Sequence, residues 1–134
     1  MNKKNFIFLL ISILFVSTLW AGAHLISLTA ESDDSNIIIQ WTTSEETNLS
    51  NFVVERKAVS GEFAPISEPI LAKGSNSSYE FVDENAFKSN DLLFVYQLKI
   101  IDKDNKISHS GTVSVSHSVS SVRRTWGSIK ALFR

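Results

Sequence analysis

The sequence predicts an all-β protein, an antiparallel sandwich of about seven short strands, and three observations carry that expectation. Apolar residues recur with a period of two from His24 onward, the runs are separated by Gly, Asn, Asp and Ser clusters, and residues 24 to 116 contain no convincing helical period. With 134 residues, 13 Lys+Arg against 14 Asp+Glu, no cysteine and 43% apolar residues, the chain has room for one such domain.

The strands follow in order. Ile26, Leu28 and Ala30 share one face and Ser27, Thr29 and Glu31 the other, as a half-buried strand requires. After the turn-like residues 32–35, Ile37, Ile39 and Trp41 line one side of the run 36–43. Phe52 and Val54 alternate with Val53, Glu55 and Lys57 in a third strand, and Tyr79 and Phe81 make a short one before Asp83. The longest, 92–102, sets Tyr96, Leu98 and Ile100 against Gln97 and Lys99, and Val113 and Val115 close the series among serines. The expected core is therefore Ile37, Ile39, Trp41, Phe52, Val54, Phe81, Tyr96, Leu98, Ile100, Val113 and Val115.

The near-neutral whole hides three segments. The first 23 residues carry Lys3 and Lys4 and no acid, and the last 18 carry Arg123, Arg124, Lys130 and Arg134 and no acid. Residues 24 to 116 keep seven basic groups against all 14 acidic ones. That balance excludes binding of nucleic acid by the protein as a whole, which needs a clear basic excess. Without cysteine there is no disulfide, zinc-thiolate site or thiol nucleophile.

Residues 1–23 read as a signal peptide. Lys3 and Lys4 precede the apolar run Phe6 to Val16, and Ala21, Gly22 and Ala23 supply a small-x-small cleavage site. Ser12, Ser17 and Thr18 interrupt an apolar stretch that falls short of the roughly 20 residues of a bilayer-spanning helix. Removal after Ala23 is the expectation, with an uncleaved N-terminal anchor as the alternative. Export without cysteine suits a bacterial periplasmic, cell-surface or extracellular protein better than a small animal secreted domain.

Three runs carry a resemblance: Ile39-Gln40-Trp41 with Thr43 and Glu45 or Glu46; Phe52-Val53-Val54-Glu55-Arg56; and Tyr96 to Asp102 with Asp104 and Lys106. They resemble the patterns W-x-T-x-x-E-x-N, F-x-V-E-R-S and Y-x-L-K-x-x-D-x-D-G-K of the fibronectin type III-like domain of secreted bacterial proteins. Lys57 stands where serine is usual, and Asn105 replaces the turn glycine, a mild change because Asn tolerates the left-handed conformation. The resemblance covers about residues 26 to 116. It implies an immunoglobulin-like sandwich acting as a spacer or binding module.

Candidate chemistry is sparse. Asp102, Asp104 and Asn105 suggest a calcium loop, but Lys106 sits where a further oxygen is wanted, so a hairpin turn is the better account. His24, His109 and His117 lack a second ligand at helical spacing and read as solvent-facing strand positions. Glu45 and Glu46 point in different directions and read as a solvated turn. Asn48-Leu49-Ser50 and Asn76-Ser77-Ser78 read as polar loops. Neither a nucleophile elbow nor a glycine-rich phosphate loop occurs. The expectation is a non-enzyme with no catalytic residue, metal or cofactor.

The segment 117–134 changes both charge and period. Val122, Trp126, Ile129 and Phe133 fall at i, i+4, i+7 and i+11 on one helical face, with Arg123, Arg124 and Lys130 elsewhere. Ser120 or Ser121 caps its start, and Lys130 and Arg134 suit its end. Such a helix is marginal alone in water and needs a surface. Three surfaces fit: its own acidic sandwich, the groove of a partner protein, and an anionic membrane or other envelope surface.

The functional expectation is an exported non-catalytic binding or assembly protein of the bacterial cell envelope. Arg123, Arg124, Trp126, Ile129, Lys130 and Phe133 would meet an envelope or secreted protein partner, and the oligomeric state is open. The rival is a carbohydrate-binding or accessory module of a secreted enzyme system, stacking exposed aromatics on sugar rings. With Trp41, Phe52, Phe81 and Tyr96 claimed by the core, Phe63, Phe87 and Phe94 are its candidates.

Overall fold

A computed structural model describes residues 22–33, 35–88 and 91–116, the side chain of residue 87 excepted. Residues 1–21 of the expected signal helix over 1–23, and the expected C-terminal helix with Arg123, Arg124, Trp126, Ile129, Lys130 and Phe133, lie outside the described residues, as does His117.

In chain order the strands are β1 (Gly22–Asp33), β2 (Asn36–Thr47), β3 (Leu49–Ala58), β4 (Ala64–Pro65), β5 (Ile70–Leu71), β6 (Ser78–Asp83), β7 (Leu93–Asp102), β8 (Ile107–His109) and β9 (Val113–Ser116). A 3-10 turn, Ala86–Lys88, lies between β6 and β7. All the pairings are antiparallel and make two sheets. One has the order β1-β2-β6; in the other β3 and β7 run side by side, with β4 and β5 on the outer edge of β3 and β8 and β9 on that of β7.

Alternation turns the sequence pattern into one core between the sheets. Ile37, Ile39 and Trp41 from β2, Phe52 and Val54 from β3, and Phe94, Tyr96, Leu98 and Ile100 from β7 are buried, joined by Leu49, Tyr79 and Ala86. Phe81, Val113 and Val115, expected among the buried set, are only partly buried and pack against it. They belong to β6 and β9, edge strands with a neighbour on one side only. Phe94, a stacking candidate in the rival carbohydrate-binding reading, shares the parity of Tyr96 and Leu98 and is buried.

The first strand departs from simple alternation. Leu25 pairs with Thr43 and Ser27 with Thr42, so the register shifts and Ile26 is left over. This bulge turns Ile26 outward, 65% exposed, while Leu25, Leu28 and Ala30 pack on the core. Gly22 pairs with Thr47 and Ala23 with Glu46, so both residues at the end of the expected export segment belong to β1.

Both edges of the second sheet are interrupted in the same way. Between β4 and β5 the Ser67 hydroxyl accepts from the Val54 N–H at 2.8 Å, and between β8 and β9 the Ser110 hydroxyl accepts from the Leu98 N–H at 2.8 Å. Each serine replaces one ladder partner and breaks the edge into short pieces, which blunts strand addition.

The turns are made by residues that tolerate positive φ. Asn48 (φ 64°) joins β2 to β3, and Asn105 (φ 64°) occupies the turn between β7 and β8. That turn closes through Asn105 N–H to Asp102 O (2.9 Å) and Asp102 N–H to Lys106 O (3.0 Å). Gly22 opens β1 at the end of the fold that holds these two turns. Ser116 ends β9 at the other, opposite Leu93, where β7 starts.

Candidate functional site

The polar groups of the interior form two clusters, one at each end of the fold. At the end of β2, Thr43 and Glu46 are buried. The Glu46 carboxylate accepts from the Thr43 hydroxyl (2.8 Å), the Gly74 N–H (2.8 Å) and, in a very short bond, the Tyr79 hydroxyl. Ser75 Oγ accepts from the Glu46 N–H at 3.2 Å, and the Lys73 N–H donates to the Tyr79 oxygen at 2.9 Å. Gly74 takes φ 109°, which only glycine adopts at low cost. Burial first, and then the bond to Glu46, push the Tyr79 phenol up to about 12.

This cluster corrects the reading of Glu45 and Glu46 as one solvated turn. Glu45 is exposed, whereas Glu46 folds under the connection between β5 and β6 and holds it to the sheet. In the pattern W-x-T-x-x-E-x-N the matching residues are therefore Trp41, Thr43, Glu46 and Asn48. Glu46→Ala strands two hydroxyls and an amide without an acceptor, so it should cost about 2–3 kcal/mol in urea unfolding. Glu45→Ala should change stability by less than about 0.5 kcal/mol.

At the other end the Asp83 carboxylate, 3% exposed, ties the two sheets together. It accepts from Arg56 Nη1 of β3 at 2.5 Å, from the Tyr96 hydroxyl of β7 at 2.8 Å and from the Asn85 N–H at 3.1 Å. The guanidinium carbon of Arg56 also lies 5.0 Å from the centroid of the buried Phe94 ring. Burial, with the Asp83 carboxylate adding to it, holds the Tyr96 phenol far above the usual tyrosine range.

On the outer face of the second sheet Glu55 is almost covered. Gln97 Nε2 donates to its Oε2 at 2.7 Å, and His109 Nε2 stands 3.6 Å from the same oxygen. His109 and His24 are both exposed, and His24 Nδ1 shares a 3.0 Å hydrogen bond with the Ser44 hydroxyl. No group of three or more His, Cys, Asp or Glu residues gathers among the described residues.

Asp102 is the exception among the interior carboxylates, because its Oδ1 is buried without a partner. Burial, and secondarily the Asp104 charge, push its pKa above the ordinary aspartate value of 3.8, with Lys106 acting weakly against them. A carboxyl raised in the fold favours the folded state at low pH, and that benefit is lost as pH rises from 3.8 through the folded value. Asp102→Asn should therefore raise stability at pH 7 by about 1 kcal/mol. The difference from the wild type should shrink as thermal melts are repeated toward pH 4.

A polar concave surface lies on the outer face of the three-stranded sheet. A groove of about 400 Å³ is lined by Ser27 and Thr29 of β1, Gln40 and Thr42 of β2, Ser78 and Glu80 of β6, and by Lys73. Gln40 Nε2 donates to Glu80 Oε2 at 2.8 Å across its floor. The aromatic line needed for sugar stacking is not built: Phe94 is interior, and Phe63 is half-buried with Lys57 Nζ 5.0 Å from its centroid. The Phe87 side chain lies outside the described residues.

No family model and no curated protein matches the chain. Among solved structures, pectate lyase PelI from Erwinia chrysanthemi, in complex with tetragalacturonic acid, is similar with a TM-score of 0.53 and 18% identity. The match covers 74% of this chain and 29% of that one. Pectate lyase Pel3 from Pectobacterium carotovorum is similar with a TM-score of 0.51 and 18% identity, over 68% of this chain and 26% of that one. At such identity the likeness is one of fold, and the chain spans less than a third of either lyase.

Proposed function

We propose that the chain is an exported, non-catalytic binding or assembly protein of the bacterial cell envelope. In this reading an immunoglobulin-like, fibronectin type III-like sandwich presents the segment 117–134 as a docking helix. Three strands facing a sheet of β3 and β7 with two interrupted edges amount to seven strand positions, which supports the type III-like assignment.

The observation that carries the function is the position of the two ends. Gly22 and Ser116 lie at opposite ends of strands ten to twelve residues long, a separation of about 30 Å. Such a body sets whatever precedes residue 22 apart from whatever follows residue 116. The interior carboxylates Glu46 and Asp83 are engaged in holding the fold, which supports a scaffold rather than an acid-base site.

The test is capture from an envelope extract by the full chain and by a version lacking residues 118–134. A specific protein is expected with the full chain alone, and Trp126→Ala with Phe133→Ala should abolish its capture. Flotation with anionic vesicles separates a membrane surface from a protein partner. Equal capture by both versions overturns the reading.

The second reading, an accessory or carbohydrate-binding module of a secreted enzyme system, is favoured by the likeness to parts of two pectate lyases. Its surface would be the polar groove of the three-stranded sheet, with Lys73 toward an acidic sugar. Retention on insoluble polygalacturonate, lost in Lys73→Ala, is its expected signature.

A further inference from the structure

We propose that a second copy of this chain adds to the free edge of β1, antiparallel and about a twofold axis at Thr29, so that the two three-stranded sheets become one sheet of six strands. The pairing is independent of what residues 117–134 bind.

A strand edge presents unpaired N–H and C=O groups, and the other edges of this fold carry devices against pairing. In the second sheet Ser67 divides β4 from β5, and Ser110 divides β8 from β9. In the first, β6 is only 6 residues long, and Lys73 Nζ donates to the Ser78 carbonyl at its start at 2.8 Å. The other edge of that sheet, β1, is 12 residues long and pairs with β2 alone among the described residues. Its bulge lies before Ser27, and from Ser27 to Asp33 the register is unbroken, with no proline, lysine or arginine. Ser110, Gly111 and Thr112 approach only its first half, across a cavity of about 200 Å³ beside Leu25–Leu28. Leu28 and Ala30 have the parity of the core yet stay only partly buried, so apolar surface remains along this edge for an added strand to cover.

The residues of the edge select the occupant. An added strand must continue both faces, apolar within and polar without, and about a twofold axis on one residue each position meets a partner of the same parity. With Thr29 on the axis, Leu28 faces Ala30 of the second copy and Ala30 faces its Leu28, large against small. On the outer face Ser27 meets Glu31, a hydroxyl donor against a carboxylate, and Thr29 meets Thr29. Neighbouring axes fit worse: at Leu28 the pair runs into the bulge, at Ala30 Leu28 meets Ser32, and at Glu31 two carboxylates are opposed. The pair closes on itself, because the sheet edge left over on each side is the short, Lys73-bearing β6. The polar groove then continues across the axis, since Thr29 already pairs with Gln40, and Gln40 with Glu80, in each copy.

The natural chain has no cysteine, so one introduced thiol reports the register directly. Thr29→Cys in the full chain should form an intermolecular disulfide under mild oxidation, because opposed residues of an antiparallel pair stand about 4.5–5.5 Å apart at Cα, within disulfide reach. Gln40→Cys, exposed at the same level but one strand inward, should stay unlinked, its two copies lying three strand spacings or roughly 14 Å apart. Sedimentation equilibrium measures the dimer itself, which should be weak because the ladder spans only about five residues of each copy. Ser27→Glu opposes two carboxylates at both ends of that ladder and should raise the dissociation constant at least about tenfold, whereas Ser27→Lys meets Glu31 and should not weaken the dimer. Both replace an exposed side chain, and circular dichroism melts confirm the fold.

Linkage confined to Thr29, together with opposite effects of glutamate and lysine at Ser27, supports the proposal. A chain that remains monomeric up to about 1 mM overturns it. Equal effects of the two Ser27 variants, or linkage at Gln40 as fast as at Thr29, overturn it as well.

Discussion

Replacing Trp41 by alanine should lower the stability of the sandwich by about 3–5 kcal/mol, much of what a domain of this size holds. The indole is 1% exposed and stands at the centre of the aromatic core. It stacks on Tyr79 with centroids 5.2 Å apart and planes 3° from parallel, and meets Phe52 edge-on at 5.5 Å. Alanine leaves a hole between two sheets that close-packed neighbours only partly fill. Trp41→Phe should cost less than half as much, because it retains a ring and removes the indole Nε1, which is buried without an acceptor. Urea unfolding of both variants measures the pair. A loss below about 1 kcal/mol for alanine would place the main packing elsewhere.

Arg56→Met should cost about 3–5 kcal/mol, because it leaves the Asp83 carboxylate buried without its cation. Methionine keeps an apolar stem toward Phe94, so the loss reports the charge rather than packing. Tyr96→Phe removes one neutral donor from the same carboxylate and should cost only about 1–2 kcal/mol. The double variant Arg56→Met, Asp83→Leu should recover much of the single loss, since no uncompensated charge remains. Additive losses in that cycle would mean that Arg56 and Asp83 act independently.

An equally large cost thus falls on Arg56 and Asp83, residues that the sequence places in different strands with nothing to link them. Arg56 was legible only as part of a run resembling F-x-V-E-R-S, and Asp83 only as the residue ending a short strand. Their meeting depends on how β6 lies over β3 and β7, and no local period encodes the packing of two sheets. Glu46 is similar. Its spacing from Thr43 was visible, but its burial follows from Gly74 and Tyr79 arriving from a distant stretch.

The errors of pattern are equally physical. Ile26 reads as inward by strict alternation and turns outward because a bulge inserts one residue before Ser27. Phe94 is a candidate for sugar stacking only in the rival reading, and its parity with Tyr96, Leu98 and Ile100 places it inside. Phe81, Val113 and Val115 have the right parity, but their depth depends on strand order, which puts them at sheet edges.

By itself the sequence determined the all-β class, most of the strands and the buried faces of β2, β3 and β7. A period of two is a local property that survives whatever the chain packs against. The tertiary structure alone decided which sheet each strand joins, which edges are broken by Ser67 and Ser110, which carboxylates go inside, and that residues 22 and 116 stand at opposite ends. Those outcomes depend on pairings between residues far apart in the chain, and the energy that fixes them appears only when both partners are in place.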